Sequence, residues 1–306
     1  MTTSPHDNIE RQVRIRLAGF TGDVPLCHEG AYSYVARLPT ELAASVEAPS
    51  FQDQRIRVFR SRISQEATDD ILRTLVAQYR ANPVAYHHPN ITLSVPGPLH
   101  EGISGPMRPT TALLSPWFTS EDILAYVQNG SVYSKIKLAV QLAKAVEHLH
   151  NHNVVHGNIY PGNVFVTDQG KATLADACIF TLARLLYPDL TGSLVESSMY
   201  QAPEFLWPGT DAFVPPTTAM DVYALASTIF AILTESPPFQ NVPSIRTVEQ
   251  AVAKIYKVGH LCLPRPASGF CDELWACLQS CWSKIPGDRP SIGEIVTALE
   301  YIELYC

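Results

Sequence analysis

His156-Gly-Asn-Ile-Tyr-Pro-Gly-Asn163 is a polar, turn-rich octet lying between apolar elements. Before it, Val132–His150 repeats Ile136, Val140, Ala143, Val146 and Leu149 at helical spacing, which predicts a long amphipathic helix. After it come two short strand patterns, Val164–Val166 and Ala172–Leu174. Glycine, proline and asparagine make the octet itself a turn region. The second strand pattern runs into Leu174-Ala-Asp-Ala-Cys178, which places Asp176 thirteen residues after Asn163.

Working outward, the C-terminal side is helical. Glu121–Val127 is short, Val222–Leu233 is apolar nearly all round, and further helical patterns cover Val248–Lys257, Glu273–Cys281 and Ile292–Ile302. A helix apolar on every face is predicted to lie buried inside a domain. The N-terminal side is different. Residues 1–25 are mixed and poorly periodic and read as a lead-in. Cys27–Leu38 reads as a turn and a strand, and Gln54–Ile63 as a strand with one wet face. Ala67–Ala81 reads as a helix, with Pro83 beyond its end. Ile91–Val95 and Thr111–Leu114 read as short strands, separated by a Gly/Pro-rich loop. A small sheet with one helix, followed by a helical half, predicts an α+β architecture with a cleft between two lobes.

The composition limits the function classes. With 306 residues and 46% apolar content the chain can bury a sizeable core, in one two-lobed domain or two small ones. Net charge is −7 with both signs interspersed, so no basic stripe marks a nucleic-acid interface. No apolar stretch is long enough to cross a membrane. The seven scattered cysteines, with no secretory segment ahead of them, predict reduced thiols in the cytoplasm or nucleus. Cys277 and Cys281 fit a pair of core residues on one helix. His148, His150 and His152, two apart on a helix, point in different directions, which argues against zinc.

Several short motifs occur in order and together resemble a protein kinase. His156–Asn163 resembles the catalytic loop H-R-D-x-x-x-x-N, and Asp176-Ala-Cys178 resembles D-F-G. Ala202-Pro-Glu204 matches A-P-E, and Asp221-Val-Tyr resembles the start of the buried large-lobe helix. Cys281-Trp282 with Asp288-Arg-Pro290 is similar to the late signature of the tyrosine-kinase-like branch, and the phrasing around His156-Gly is similar to fungal kinase-like proteins. Upstream, His88-Pro-Asn-Ile91 and Ser115-Pro-Trp117 resemble the strand after the small-lobe helix and the hinge. The resemblance implies a bilobal kinase-like domain over residues 27–303, after a lead-in over 1–26. Its β-rich N-lobe covers about 27–115 and its helical C-lobe about 119–303.

In that family each retained residue has a job. Asn163 and Asp176 would be oxygen ligands for magnesium. Glu204 and Arg289 would form a buried bidentate ion pair. Asp221 would accept backbone hydrogen bonds from the catalytic loop, and His156 would pack at its base. Gly30, Val35 and Arg57 stand where a kinase would contact nucleotide.

The departures fall on the chemistry. Asn158 stands at the catalytic-base position, and an amide cannot accept the substrate hydroxyl's proton. Gly157 replaces the preceding arginine and Tyr160 the usual lysine. The first 134 residues contain 11 arginines and no lysine, so the phosphate-binding position falls near Arg57. Its glutamate partner would fall at Gln78 or Tyr79, and no acidic residue occurs between Asp70 and Glu101. Of the glycine-rich loop only Gly30 is retained, with His28 and Ser33 at the other two positions.

The resulting expectation is a non-catalytic pseudokinase that acts by binding protein partners. No catalytic residue and no cofactor are assigned, and ATP with Mg2+ would bind weakly. Two alternatives stay open: a divergent serine/threonine or tyrosine protein kinase, and an ATP-binding switch without turnover. The segment Phe180–Met199, rich in leucine and carrying Leu186 and Tyr187, is a candidate docking surface.

Overall fold

The computed structural model describes residues 12–17, 20–29, 33–38, 54–59, 65–96, 112–118, 122–128, 130–187, 197–206, 214–238, 250, 253 and 263–305. Gly30, the loop 97–111 and most of Val248–Lys257 lie outside the described residues. The chain divides into two compact units, one of residues 1–69 and 94–117, the other of 70–93 and 118–306.

The first unit is built on an antiparallel sheet. Its strands are β1 (Gln12–Leu17), β2 (Phe20–Glu29), β3 (Ser33–Leu38), β4 (Gln54–Phe59), β6 (Val95–Pro96) and β7 (Ala112–Pro116), in the order β1-β2-β3-β4-β7-β6. Strand structure therefore begins well inside the segment read as a poorly periodic lead-in. β1 pairs with β2 from Gln12↔Pro25 to Leu17↔Phe20, and β2 pairs with β3 from Leu26↔Ala36 to Glu29↔Tyr34, with a register shift between Leu26 and His28. Val13, Ile15 and Leu17 alternate with Gln12, Arg14 and Arg16, so β1 carries the period-two pattern of a strand inside that segment.

The second unit is helical. α1 (Gln65–Ala81) belongs to it from Asp70 onward. A single 3-10 turn follows at Pro83–Tyr86, and then β5 (Ile91–Thr92). β5 does not join the first sheet, as expected for Ile91–Val95. It pairs in parallel with β9 (Ala172–Ala175), at Ile91↔Leu174, and β9 pairs antiparallel with β8 (Val164–Val166). Asn90 fixes this register by donating its Nδ2 to the Ala172 carbonyl at 2.6 Å. α2 (Ile123–Val127) and α3 (Val132–Asn151) come next. Ser131 caps α3 by accepting from the Ser134 N–H at 3.2 Å. The buried face of α3 carries Ile136, Val140, Ala143, Val146 and Leu149.

Three further helices complete the core of this unit. α4 (Ile179–Leu186) and the single turn α5 (Pro203–Leu206) precede α6 (Thr218–Thr234), which is buried from Met220 to Leu233. Ser227 and Thr228 are tolerated there because their hydroxyls donate to the carbonyls of Tyr223 and Ala224, at 2.9 and 2.8 Å. Trp282 donates its indole N–H to Ser227 Oγ at 3.1 Å and packs on Phe230. α7 (Asp272–Cys281) and α8 (Ile292–Tyr305) close the unit. Among the described residues, no helix is long and apolar enough to cross a membrane.

Candidate functional site

The octet forms a loop held from below by one buried carboxylate. Asp221, in the first turn of α6, accepts the His156 N–H at Oδ2 and the Gly157 N–H at Oδ1, both at 2.8 Å. His150, near the end of α3, lies 2.9 Å from Asp221 Oδ2 through Nε2 and must donate there. Three donors stabilise a carboxylate that would otherwise be costly to bury.

His156 is fully buried, and its hydrogen bonds fix its tautomer. Nδ1 accepts the Asn158 N–H at 3.2 Å, so Nε2 carries the proton and donates to the Ala175 carbonyl at 3.0 Å. Burial pushes its pKa below the usual histidine value, against a smaller opposing effect of Asp221. A second proton would also set Nδ1 against the Asn158 N–H. His88, stacked on His148 at 4.7 Å, is lowered in the same direction by burial and by the neighbouring His148 and Lys144.

A histidine whose folded pKa is depressed binds fewer protons folded than unfolded. Its contribution is complete above the unfolded value of about 6.5 and is lost as pH falls through that value toward the folded one. The melting temperature should therefore drop progressively below about pH 6.5. Thermal denaturation across mildly acidic to neutral buffers would measure this, and a flat profile would contradict it.

Asn158 and Asn163 are joined in the upper part of the loop. Asn163 donates its Nδ2 to the Asn158 carbonyl at 2.9 Å, and its Oδ1 is buried with no hydrogen-bond partner among the described residues. Asn158 Oδ1 accepts from the Gln201 side chain at 3.2 Å. Gln201, itself buried, had no part in the sequence reading; its only signal was its place immediately before Ala202. Tyr160 turns back over Gly162, where an added Cβ would meet its ring at 2.6 Å.

Asp176 is buried at φ +64 and is followed by Ala177 and by Cys178 at φ +67. Left-handed conformations cost a residue with a Cβ, so both must be held by their surroundings. Cys178 Sγ lies 3.4 Å from the Tyr86 hydroxyl and 3.6 Å from the Val155 carbonyl. Burial pushes this thiol up to about 11, so it is not a reactive thiolate. Tyr79 packs edge-on against Tyr86 at 4.4 Å, and its phenol is pushed up by burial, then by Cys178, Tyr86 and Asp176. One of the two positions expected for the acidic partner is thus filled by a tyrosine in an aromatic cluster. The other, Gln78, is exposed.

Glu204 and Arg289 meet in a bidentate pair, Nη1 to Oε1 at 2.6 Å and Nη2 to Oε2 at 2.9 Å. Arg289 also donates to the Ser283 and Ala219 carbonyls, at 3.0 and 2.9 Å, and lies over the Tyr223 ring at 5.1 Å. The arginine side chain is fully buried, and 23% of the glutamate side chain is exposed.

The remaining candidates lie in the first unit. Val35 and Arg57 are register partners on β3 and β4, with Leu113 of β7 next to Arg57. The three histidines of α3 make separate contacts: His148 with the Val84 carbonyl, His150 with Asp221, and His152 with the His148 carbonyl. Cys281 is buried and Cys277 only half-buried.

A polar loop anchored on a buried helix, followed by a buried aspartate and a bidentate Glu–Arg tie, is the arrangement of a protein-kinase-like helical unit. The protein kinase domain family matches residues 118–300, and the chain belongs to that family. It is 26% identical over 280 residues to the serine/threonine-protein kinase PkaA of Streptomyces coelicolor, covering 89% of this chain and 45% of that protein. It is 29% identical over 159 residues to the serine/threonine-protein kinase PknK of Mycobacterium bovis, covering 51% of this chain and 13% of the relative. A dual serine/threonine and tyrosine protein kinase of Apis mellifera is 27% identical over 191 residues, 60% of this chain and 18% of its own length. The chain thus spans less than half the length of each of these relatives.

The family implies ATP with magnesium. The orphaned Asn163 Oδ1 and the Asp176 carboxylate are hard oxygen donors, the type a divalent cation takes, and these two residues would hold one. Such an ion would neutralise phosphate charge. Asn158 does not fit the base that phosphoryl transfer requires. Its carboxamide has no carboxylate to take a proton, and its oxygen is already bonded to Gln201.

Proposed function

We propose that this chain is a pseudokinase of the tyrosine-kinase-like branch, a bilobal module over residues 27–303 that binds protein partners and transfers no phosphate. It would work in the cytoplasm or nucleus. The observation that carries this reading is the amide pair at the base position. Asn158 offers no proton acceptor of useful basicity, and Gln201 occupies its oxygen. Tyr79 in its aromatic cluster, and the absence of any acidic residue between Asp70 and Glu101, support the same conclusion for the lysine-binding glutamate.

Of the candidate docking surface over 180–199, residues 188–196, with Leu190 and Leu194, lie outside the described residues. Leu182 is buried and Tyr187 is engaged with Asp70, whereas Leu185 and Leu186 are 46% and 41% exposed. These two leucines are the part of α4 that a partner would reach.

Asn163 favours a second reading, a nucleotide-sensing switch without turnover, because a buried acceptor oxygen without a partner suits a cation. Thermal-shift titration separates the two. Binding at 100 times the dissociation constant would add about 2.7 kcal/mol. The pseudokinase reading expects no more than a few tenths of a kcal/mol, about a degree, at millimolar ATP and magnesium. A magnesium-dependent shift of several degrees at micromolar ATP would establish the switch.

A further inference from the structure

α4 begins directly after the Asp176–Cys178 turn, where the Leu182 N–H donates to the Cys178 carbonyl at 2.8 Å. Ile179, Phe180, Leu182 and Ala183 form its buried face, and Phe180 packs on Phe205 at 5.7 Å. Its first turn rests on the catalytic loop, with Thr181 Oγ1 donating to the His156 carbonyl at 3.2 Å. Gly157, the next residue of that loop, has φ +79. A Cβ at position 157 would lie 2.1 Å from Thr181 Oγ1 and 3.4 Å from Thr181 Cβ. The hydroxyl could clear such a group only by giving up its bond to His156. At the other end of α4, Tyr187 donates its hydroxyl to Asp70 Oδ2 at 2.6 Å, while Asp70 Oδ1 takes Arg73 at 2.5 Å.

We infer that α4 is a strap built into the fold, seated on the catalytic loop through Gly157 and Thr181 and fastened to α1 by Tyr187 and Asp70. Glycine at 157 is the condition of the Thr181 contact: a Cβ there would drive the Thr181 hydroxyl off the His156 carbonyl, while Thr181 Cβ and Pro216 Cβ at 3.4 Å leave no further room. The position that reads as the loss of an arginine is thus the position that lets the segment after Asp176 fold down. This goes beyond the proposed function and stands whether or not nucleotide binds.

The test is hydrogen exchange on the full chain, read in peptides covering 179–187 with α6 as internal reference. It compares the parent, Gly157→Ala, Thr181→Ala and the double variant. Gly157→Ala should accelerate exchange in α4 at least about tenfold, and the same change made in the Thr181→Ala background by no more than about threefold. Equal acceleration in both backgrounds would mean that only backbone strain at 157 is felt, and would overturn the proposal. Unchanged exchange in α4 would overturn it too. If Gly157→Ala does not fold, Thr181→Val and Tyr187→Phe decide the matter. Each should speed exchange in α4 while α6 stays protected, and parental exchange in both variants would refute the strap.

Discussion

Arg289→Ala is expected to destabilise the chain by about 3–5 kcal/mol, the largest stability effect of any single substitution considered for it. The arginine is fully buried and makes four hydrogen bonds, two to Glu204 and two to main-chain carbonyls. Truncation leaves two carbonyls and a mostly buried carboxylate without donors. Water can reach Glu204, 23% exposed, which places the loss nearer the lower bound than a wholly buried pair would. Denaturant unfolding of the variant measures it directly. A midpoint within error of the parent would mean the pair does not form in solution. Glu204→Gln should cost less, since an amide can still accept from one guanidinium nitrogen.

Phosphoryl transfer is expected to run at least about 10²–10⁴-fold below the 1–100 s⁻¹ of working kinases, from the missing base alone. Restoring the carboxylate by Asn158→Asp should not restore turnover. Gln201 would still hydrogen-bond at that position, and neither Gln78 nor Tyr79, the two positions expected for the acidic partner, supplies a carboxylate. Residues that act as a unit do not contribute additively, so one repair among several losses recovers little. The measurement is γ-phosphate transfer to a generic protein substrate and to the chain itself. Turnover near 1 s⁻¹ that is abolished by Asp176→Ala would defeat the pseudokinase reading.

The relation between motif and structure differs from one position to the next. The apolar run at Val222–Leu233 reads as a buried helix because hydrophobicity on every face has few other outcomes, and α6 is buried throughout. The Ala67–Ala81 and Val132–His150 periodicities likewise read to within about two residues of α1 and α3, since each buries one stripe. β1 and most of β2 fall in the segment taken as a lead-in, although Val13-Arg14-Ile15-Arg16-Leu17 alternates strictly; Gly22 and Pro25 weaken the pattern of β2, whose pairing with β1 and β3 only the fold supplies. Ile91–Val95 read as one strand of the first sheet; the fold splits it, with Val95 in that sheet as part of β6 and Ile91–Thr92 in the other as β5. A two-residue strand carries no record of its partner, and the Asn90 bond to Ala172 decides it across 82 positions of chain.

By itself the sequence determined the helical large unit, the order of the loop motifs, and the residue types at each chemical position. Those follow from local periodicity and from the presence or absence of a lysine, a carboxylate or a glycine, which a chain displays without folding. Only the tertiary structure decided what fills the vacated positions. Gln201 reaches Asn158 across 43 residues, Tyr86 reaches Cys178 across 92, and Tyr187 reaches Asp70 across 117. The physical reason is that a hydrogen bond or a steric exclusion between distant residues depends on the packing of both supporting elements. Gly157 shows this most plainly. As a letter it is an arginine lost, and in the fold it is the space that Thr181 requires.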